Sequence, residues 1–253
     1  MHKFFVQREF ITEDTAVIEG DDVKHIYKVL RLEIGDKVSI NDCHGNEYLG
    51  DINEINKKQV IVNLLEKLPI NNESPVNIYL YQGLPKSTKM DLIVQKATEL
   101  GVKEITPVVT ERVVVKSELS EFRKVDRWNR IALEACKQSK RSLLPVINTP
   151  IEFDELVSNL KDMDLIVVPY ENADGYGIKN IISDLNKNVK NIAVVIGPEG
   201  GFEDREIEIL RSINAHIVTL GPRILRTETA GFVCVAMLMY ELGDIGGAAY
   251  REG

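Results

Sequence analysis

Asn191-Ile192-Ala193-Val194-Val195-Ile196-Gly197-Pro198-Glu199-Gly200-Gly201 decides how the chain is read. The apolar run Ile192–Ile196 has the length and β-branched content of a buried strand. It enters a loop of three glycines and one proline without a break. Glycine permits positive φ and close approach of a ligand to backbone, and proline fixes one turn of the loop. The lysine of a phosphate-binding GxxxxGK[ST] loop is missing, and so is the GxGxxG pattern. A plain strand-to-helix turn needs one glycine more often than three.

Outward from this stretch, strands alternate with helices. Val76–Gln82, Ile105–Val109, Leu165–Val168 and His216–Leu220 read as further strands. Helices are expected over Thr88–Leu100, Val125–Ser139, Gly177–Leu185, Asp204–Ile213 and Thr227–Leu242. Thr88 and Asp91 have capping-box spacing, and Gly101 suits a left-handed cap. Such alternation predicts a parallel sheet covered by helices. The pattern changes at Pro69–Pro75, a polar stretch with two prolines that suits a linker. Upstream lie short strands at Lys3–Val6, Thr15–Glu19, Lys37–Asn41, Tyr48–Ile55 and Gln59–Leu65. One helix, Val23–Arg31, is expected among them, capped by Asp21 or Asp22. That spacing predicts a small β-barrel. The expected domains are residues 1–70 and 74–253.

The 253 residues are 44% apolar and 28% charged, which fits a globular protein and excludes wholesale disorder. No apolar run reaches the 18 or so residues of a membrane span, and MHKFFVQREF lacks a signal core. Cys43, Cys136 and Cys234 lie far apart without a CxxC, so a reducing cytoplasm is expected. The four histidines are scattered, without an HExxH, and no metal is expected. The net charge of −8 is uneven: residues 1–73 carry −5, 74–145 carry +5 and 146–253 carry −8. A positive middle segment suits an anionic partner or a solvated basic surface.

Two more strand ends are unusual. One is Tyr81-Gln82-Gly83-Leu84-Pro85-Lys86. The other is Leu220-Gly221-Pro222-Arg223-Ile224-Leu225-Arg226-Thr227-Glu228-Thr229-Ala230. Thr227 as an N-cap and Glu228 in the first turn are explained by helix chemistry. Arg223 and Arg226 are not, because the helix dipole disfavours cations there. An anion-binding or substrate-polarising role is the reading these arginines support.

These three strand ends, together with KATELGV (Lys96–Val102), RWNRIALEACKQSKR (Arg127–Arg141) and HIYKVLRLEIGD (His25–Asp36), resemble the RsmE family. Its members are 16S ribosomal RNA uridine-N3 methyltransferases of the SPOUT superfamily. The resemblance runs from about Lys3 to Gly246. It implies an α/β fold with an N-terminal PUA-like β-barrel for RNA binding and a C-terminal SPOUT domain with a deep trefoil knot. It also implies S-adenosylmethionine as methyl donor, a cytoplasmic homodimer with sites shared between the chains, and a decoding-region uridine of the small (30S) ribosomal subunit as target.

Carried over by motif, the resemblance assigns the donor to Pro169, Tyr170 and Glu171, to Gly197, Glu199, Gly200 and Gly201, and to Leu220, Gly221, Ile224, Leu225 and Thr229. Arg226 would stabilise the charge that develops on the uridine when its N3 proton leaves, and Glu228 is the candidate base. Lys3, His25, Lys28, Arg31, Lys86, Arg112 and Arg141 are candidate RNA contacts, with Arg123, Arg127 and Lys137 beside them. Some relatives carry an arginine in the opening strand where this chain has Lys3, a point charge rather than a fork. Two other readings remain open: a non-catalytic RNA-binding assembly factor, and a SPOUT methyltransferase acting on transfer RNA or another position.

Overall fold

The computed structural model describes residues 1–69, 72–86, 88–113, 124–173, 175–185 and 188–247. The chain divides into two compact units. One comprises Met1–Glu73 with Cys136–Leu144, the other Ser74–Ala135 with Pro145–Gly253.

The first unit carries β1 (His2–Phe5), β2 (Thr15–Glu19), β3 (Lys37–Asn41), β4 (Glu47–Ile55) and β5 (Gln59–Leu68). They form one sheet in the order β1-β3-β4-β5-β2, with β1 and β2 at its edges. Register shifts at Leu49/Gly50 and Ile52/Glu54 interrupt the β4–β5 ladder. Such bulges bend a sheet, and here the core includes Phe4, Ile18, Ile40, Ile52 and Val62. The β-barrel expected from sequence is a curled half-barrel, whose edge strands β1 and β2 do not pair with each other among the described residues. The helix expected over Val23–Arg31 also differs. Only α1 (Asp21–Lys24) is α-helical. His25–Leu30 widens to a π-helix, and Arg31 turns left-handed at φ 54°. Gly20 is the N-cap, and no side chain caps. Asp21 and Asp22 fall in the first turn, where the dipole favours them.

Glu73 holds the later segment of this unit. Its Oε1 accepts the Ser142 and Leu143 amides at 2.7 and 2.8 Å, and its Oε2 accepts Arg141 Nη2 at 2.7 Å. Between β3 and β4, Asp42 accepts the amides of His44 and Asn46 and the Asn46 side chain. Burial works to raise the Asp42 carboxyl, but these bonds outweigh it and hold the group below its ordinary value.

The second unit carries β6 (Asn77–Gly83), α2 (Lys89–Glu99), β7 (Glu104–Val109), α3 (Lys124–Ser139), β8 (Val146–Ile147), β9 (Ile151–Glu152), α4 (Phe153–Asn159), β10 (Leu165–Pro169), α5 (Ile178–Asp184), β11 (Asn191–Ile196), α6 (Asp204–Ser212), β12 (His216–Val218) and α7 (Thr227–Leu242). The residues of α3 from Cys136 onward group with the first unit. The sheet is parallel, in the order β12-β10-β11-β6-β7-β8, with β9 also on β7. β8 and β9 have two residues each, too few to show a period, and sequence reading left them and α4 unassigned. The Thr88–Asp91 capping box is absent. Thr88 makes no side-chain cap, and Asp91 accepts the Arg127 guanidinium instead. Gly101, at φ 87°, ends α2 as expected. No helix among the described residues is long and apolar enough to cross a membrane.

The parallel register positions the site. Ile196 pairs with Gln82, and Val167 with Val194. The chain therefore leaves β6, β10 and β11 at one edge, the carboxyl edge where open α/β sheets bind ligands.

Candidate active site

Gly83 ends β6 against the loop that follows β11. A Cβ there would lie 2.5 Å from the Pro198 nitrogen, so only glycine admits this backbone crossing. Gln82, fully buried, donates from Nε2 to Thr227 Oγ1 at 2.8 Å and to the Gly83 carbonyl at 3.1 Å. Thr227 Oγ1 donates in turn to the Gly197 carbonyl at 2.6 Å. The N-cap expected at Thr227 is thus Arg226, with extended backbone, and Thr227 ties α7 to the glycine loop instead. The hydroxyl reaches two strand ends, contacts that capping chemistry read along one segment does not reveal.

Glu199 faces the start of α2. Its carboxylate accepts the Lys86 amide at 3.0 and 3.3 Å and stands 3.0 Å from Lys89 Nζ. Lys89 also pairs with Glu228 Oε2 at 3.4 Å. Burial works to raise the Glu199 carboxyl. Backbone hydrogen bonds and Lys89 outweigh it, and the group sits below its ordinary value. The bond to Glu199 holds the Lys89 ammonium above its own. Sequence reading passed over Lys89. The available signal was the one that singled out Arg226, a cation at a helix start.

Gly201 has φ 70° and closes a turn onto the Pro198 carbonyl at 3.0 Å. A Cβ on it would stand 2.8 Å from Glu171 Oε1. Gly200 packs on Arg112: a Cβ would meet Arg112 Cβ at 3.0 Å, and its carbonyl accepts Arg112 Nη1 at the same distance.

Two adjoining cavities, of about 440 and 480 Å³, open among these loops. Both are lined by Pro169, Glu171, Ile224, Leu225 and Ala230. The first adds Gly197, Glu199, Gly201, Arg226 and Lys89. The second adds Tyr170, Leu220, Gly221 and Arg223. Of the residues assigned to the donor, Gly200 and Thr229 line neither, and the same holds for the candidate base Glu228. Arg223 and Arg226 are exposed, without an ion-pair partner among the described residues. Ile224 is 88% exposed.

The candidate RNA contacts fare differently from one another. In the first unit His25, Lys28 and Arg31 are exposed along the π-helix and its end. Lys3 is paired with Glu47, and Arg141 is 4% exposed and bound to Glu73. Lys137 is paired with Asp22. In the second unit Lys86 is exposed and Arg127 is paired with Asp91, while both Arg112 terminal nitrogens and its Nε are occupied. Arg123 lies outside the described residues. Among the described residues no cluster of His, Cys, Asp and Glu suits a metal ion.

The concave edge, with glycine-lined backbone and carboxylates beside it, has the size and polarity for a nucleoside-bearing cation. Comparison with known proteins bears on which one. Residues 72–239 match the family model described as an RNA methyltransferase domain, and residues 18–65 match the RNA methyltransferase PUA domain. The Ribosomal RNA small subunit methyltransferase E of Bacillus subtilis is 34% identical over 249 residues, covering 95% of this chain and 97% of its own. That of Aquifex aeolicus is 33% identical, covering 94% and 99%. A Neisseria gonorrhoeae Ribosomal RNA small subunit methyltransferase E, solved bound to S-adenosyl methionine, superposes with a TM-score of 0.82 at 29% identity. It covers 97% of this chain and 99% of that one.

Proposed function

Because this chain belongs to the ribosomal RNA small subunit methyltransferase E family, we propose that it methylates N3 of a decoding-region uridine in the 16S RNA of the small ribosomal subunit, with S-adenosylmethionine as donor. The observation that carries the reading is the pair of adjoining cavities walled by the loops after β10, β11 and β12. The residues there fit the donor. A Cβ at Gly197 would crowd the Phe202 ring and one at Gly201 would meet the Glu171 carboxylate, which lines both cavities. When bound, S-adenosylmethionine supplies an electrophilic methyl group.

This chain's own residues do the rest. Pro169, Tyr170, Glu171, Leu220, Gly221, Ile224 and Leu225 hold the nucleoside, with Gly197, Glu199 and Gly201 beside them. Glu171 offers a carboxylate to the sulfonium charge. Glu199 is shared with Lys89 and contributes less of its charge. Arg226, without an ion-pair partner among the described residues, stabilises the negative charge that builds on the uridine oxygens as N3 loses its proton. Glu228, paired with Lys89, supports the wall, and the N3 proton passes to solvent water. His25, Lys28 and Arg31, exposed together along the π-helix and its end, are the first unit's proposed contacts to phosphates. The chain acts as a homodimer with a knotted second domain in the cytoplasm, the arrangement the family resemblance implies.

The test is methyl transfer from labelled S-adenosylmethionine to small subunits from a strain lacking this protein, followed by nucleoside analysis. The reading expects 3-methyluridine in 16S RNA. Donor binding without transfer to the subunit would move the substrate to another RNA, and absence of donor binding would overturn the reading.

A further inference from the structure

The loop after β7 carries an exposed guanidinium whose three nitrogens are all engaged. Arg112 Nε donates to Glu203 Oε1 at 2.7 Å and Nη2 to Glu203 Oε2 at 3.1 Å, a bidentate pair. The third nitrogen, Nη1, donates to the Gly200 carbonyl at 3.0 Å. Glu203 is the N-cap of α6, in a capping box with Glu206, which is 4% exposed. Glu206 joins the same network from the other side. Its Oε2 accepts the Glu203 amide at 2.8 Å, and its Oε1 accepts the Glu111 amide at 3.0 Å. The residue before Arg112 is therefore fixed by the helix that Arg112 itself clamps. A Cβ on Gly200 would crowd Arg112 at 3.0 Å from its Cβ.

On the reading that this loop holds S-adenosylmethionine, we infer that Arg112 is a positioning residue for the donor loop rather than a contact to RNA phosphate. It acts through the Gly200 carbonyl and the cap of α6. The loop is held at Gly197 by Thr227 and at Gly200 by Arg112, so Gly201 and Glu199 meet the cavity from a fixed frame. Lysine cannot replace the fork, because one ammonium cannot span a carboxylate and a carbonyl in the same plane.

The test uses the full chain with Arg112→Ala, Arg112→Lys, Glu203→Gln and the double variant Arg112→Ala with Glu203→Gln. Affinity for S-adenosylmethionine is measured by calorimetry, and affinity for unmodified small subunits is measured across a salt series. Arg112→Ala is expected to weaken donor binding about tenfold, to raise the KM for donor, and to leave kcat at saturating donor near wild type. Arg112→Lys recovers only part of the loss, Glu203→Gln repeats it, and the double variant is no worse than either single one. RNA affinity and its salt slope stay unchanged. A salt slope reduced by about one with intact donor affinity would overturn the inference and make Arg112 a phosphate contact. Unchanged donor affinity in all variants would also overturn it. If Arg112→Ala fails to fold, Arg112→Lys and Glu203→Gln decide by the same readouts. Failure of the wild-type chain to bind donor sinks the parent reading instead, before any variant is compared.

Discussion

Two loops border the same cavities and are built in opposite ways. Residues 197–201 are tied down from every side: Thr227 on the Gly197 carbonyl, Lys86 and Lys89 on Glu199, Arg112 on the Gly200 carbonyl, and an internal turn from Gly201 to Pro198. Residues 221–226 have little of this. The Thr219 hydroxyl and Gly221 exchange two local bonds, Ile224 is almost fully exposed, and Arg223 and Arg226 carry no ion-pair partner among the described residues. A loop that must wall a donor site in one shape gains from being ordered beforehand, since no ordering cost is left for binding. A loop that must meet a second reactant gains from keeping its cations unpaired until it arrives. On the proposed function, the first loop is a preset wall of the donor site, and the second, which lines both cavities, orders when donor and substrate arrive.

The largest effect should come from the free loop. Arg226→Ala is expected to lower kcat by roughly 10²- to 10³-fold, the loss typical of one preorganised charge-stabilising donor, while donor affinity stays within a few-fold. Equal losses in both would erase the division. Gly83→Ala attacks the fixed loop through backbone. A methyl group 2.5 Å from the Pro198 nitrogen forces the two strand ends apart, and a stability loss above about 2 kcal/mol is expected in denaturant melts, with weakened donor binding. Thr227→Val leaves Gln82 Nε2 one acceptor short and the Gly197 carbonyl without its hydroxyl. About 1–3 kcal/mol should be lost, and Thr227→Ser should restore most of it. Glu199→Gln is smaller and shows in the pH dependence. With its folded carboxyl held below the ordinary value, Glu199 stabilises the fold above the usual carboxylate range near 4.3, and that contribution fades as pH falls through the depressed value. The variant should lose stability at neutral pH and flatten the acid limb of a melting-temperature profile. Ile224→Ser is the least disruptive. A residue this exposed should leave stability within about 0.5 kcal/mol, so any loss of donor affinity reports a contact with the ligand.

Much of this was legible in the sequence. The apolar run ending at Ile196, the alternation around it and the Pro69–Pro75 break gave the parallel sheet and the change of architecture ahead of it. The arginines before α7 stood out because helix electrostatics could not explain them, and they line the cavities. The failures share a cause. Spacing along one segment makes caps of Thr88, Asp91, Asp22 and Thr227. In the fold Asp91, Asp22 and Thr227 bind groups distant in sequence: Arg127, Lys137, and both Gln82 and Gly197. Arg112 and Arg141 looked like a basic surface because Glu203 and Glu73 are 91 and 68 residues away. Nothing local marks His25–Leu30 as a π-helix, since its apolar spacing serves an α-helix as well. Strand order depends on which edges meet, and two-residue strands such as β8 leave no pattern to read.

The central claim is that one loop is set before the donor arrives and the other is not. Amide hydrogen exchange on the free chain tests it directly, read at Lys86 and Gly201 on one side and at Ile224, Leu225 and Arg226 on the other. Protection at the first pair is expected without any ligand. Rapid exchange is expected at the second group, slowed once S-adenosylmethionine is added. Equal exchange in both loops of the free chain, or donor-induced protection confined to Lys86 and Gly201, would contradict it.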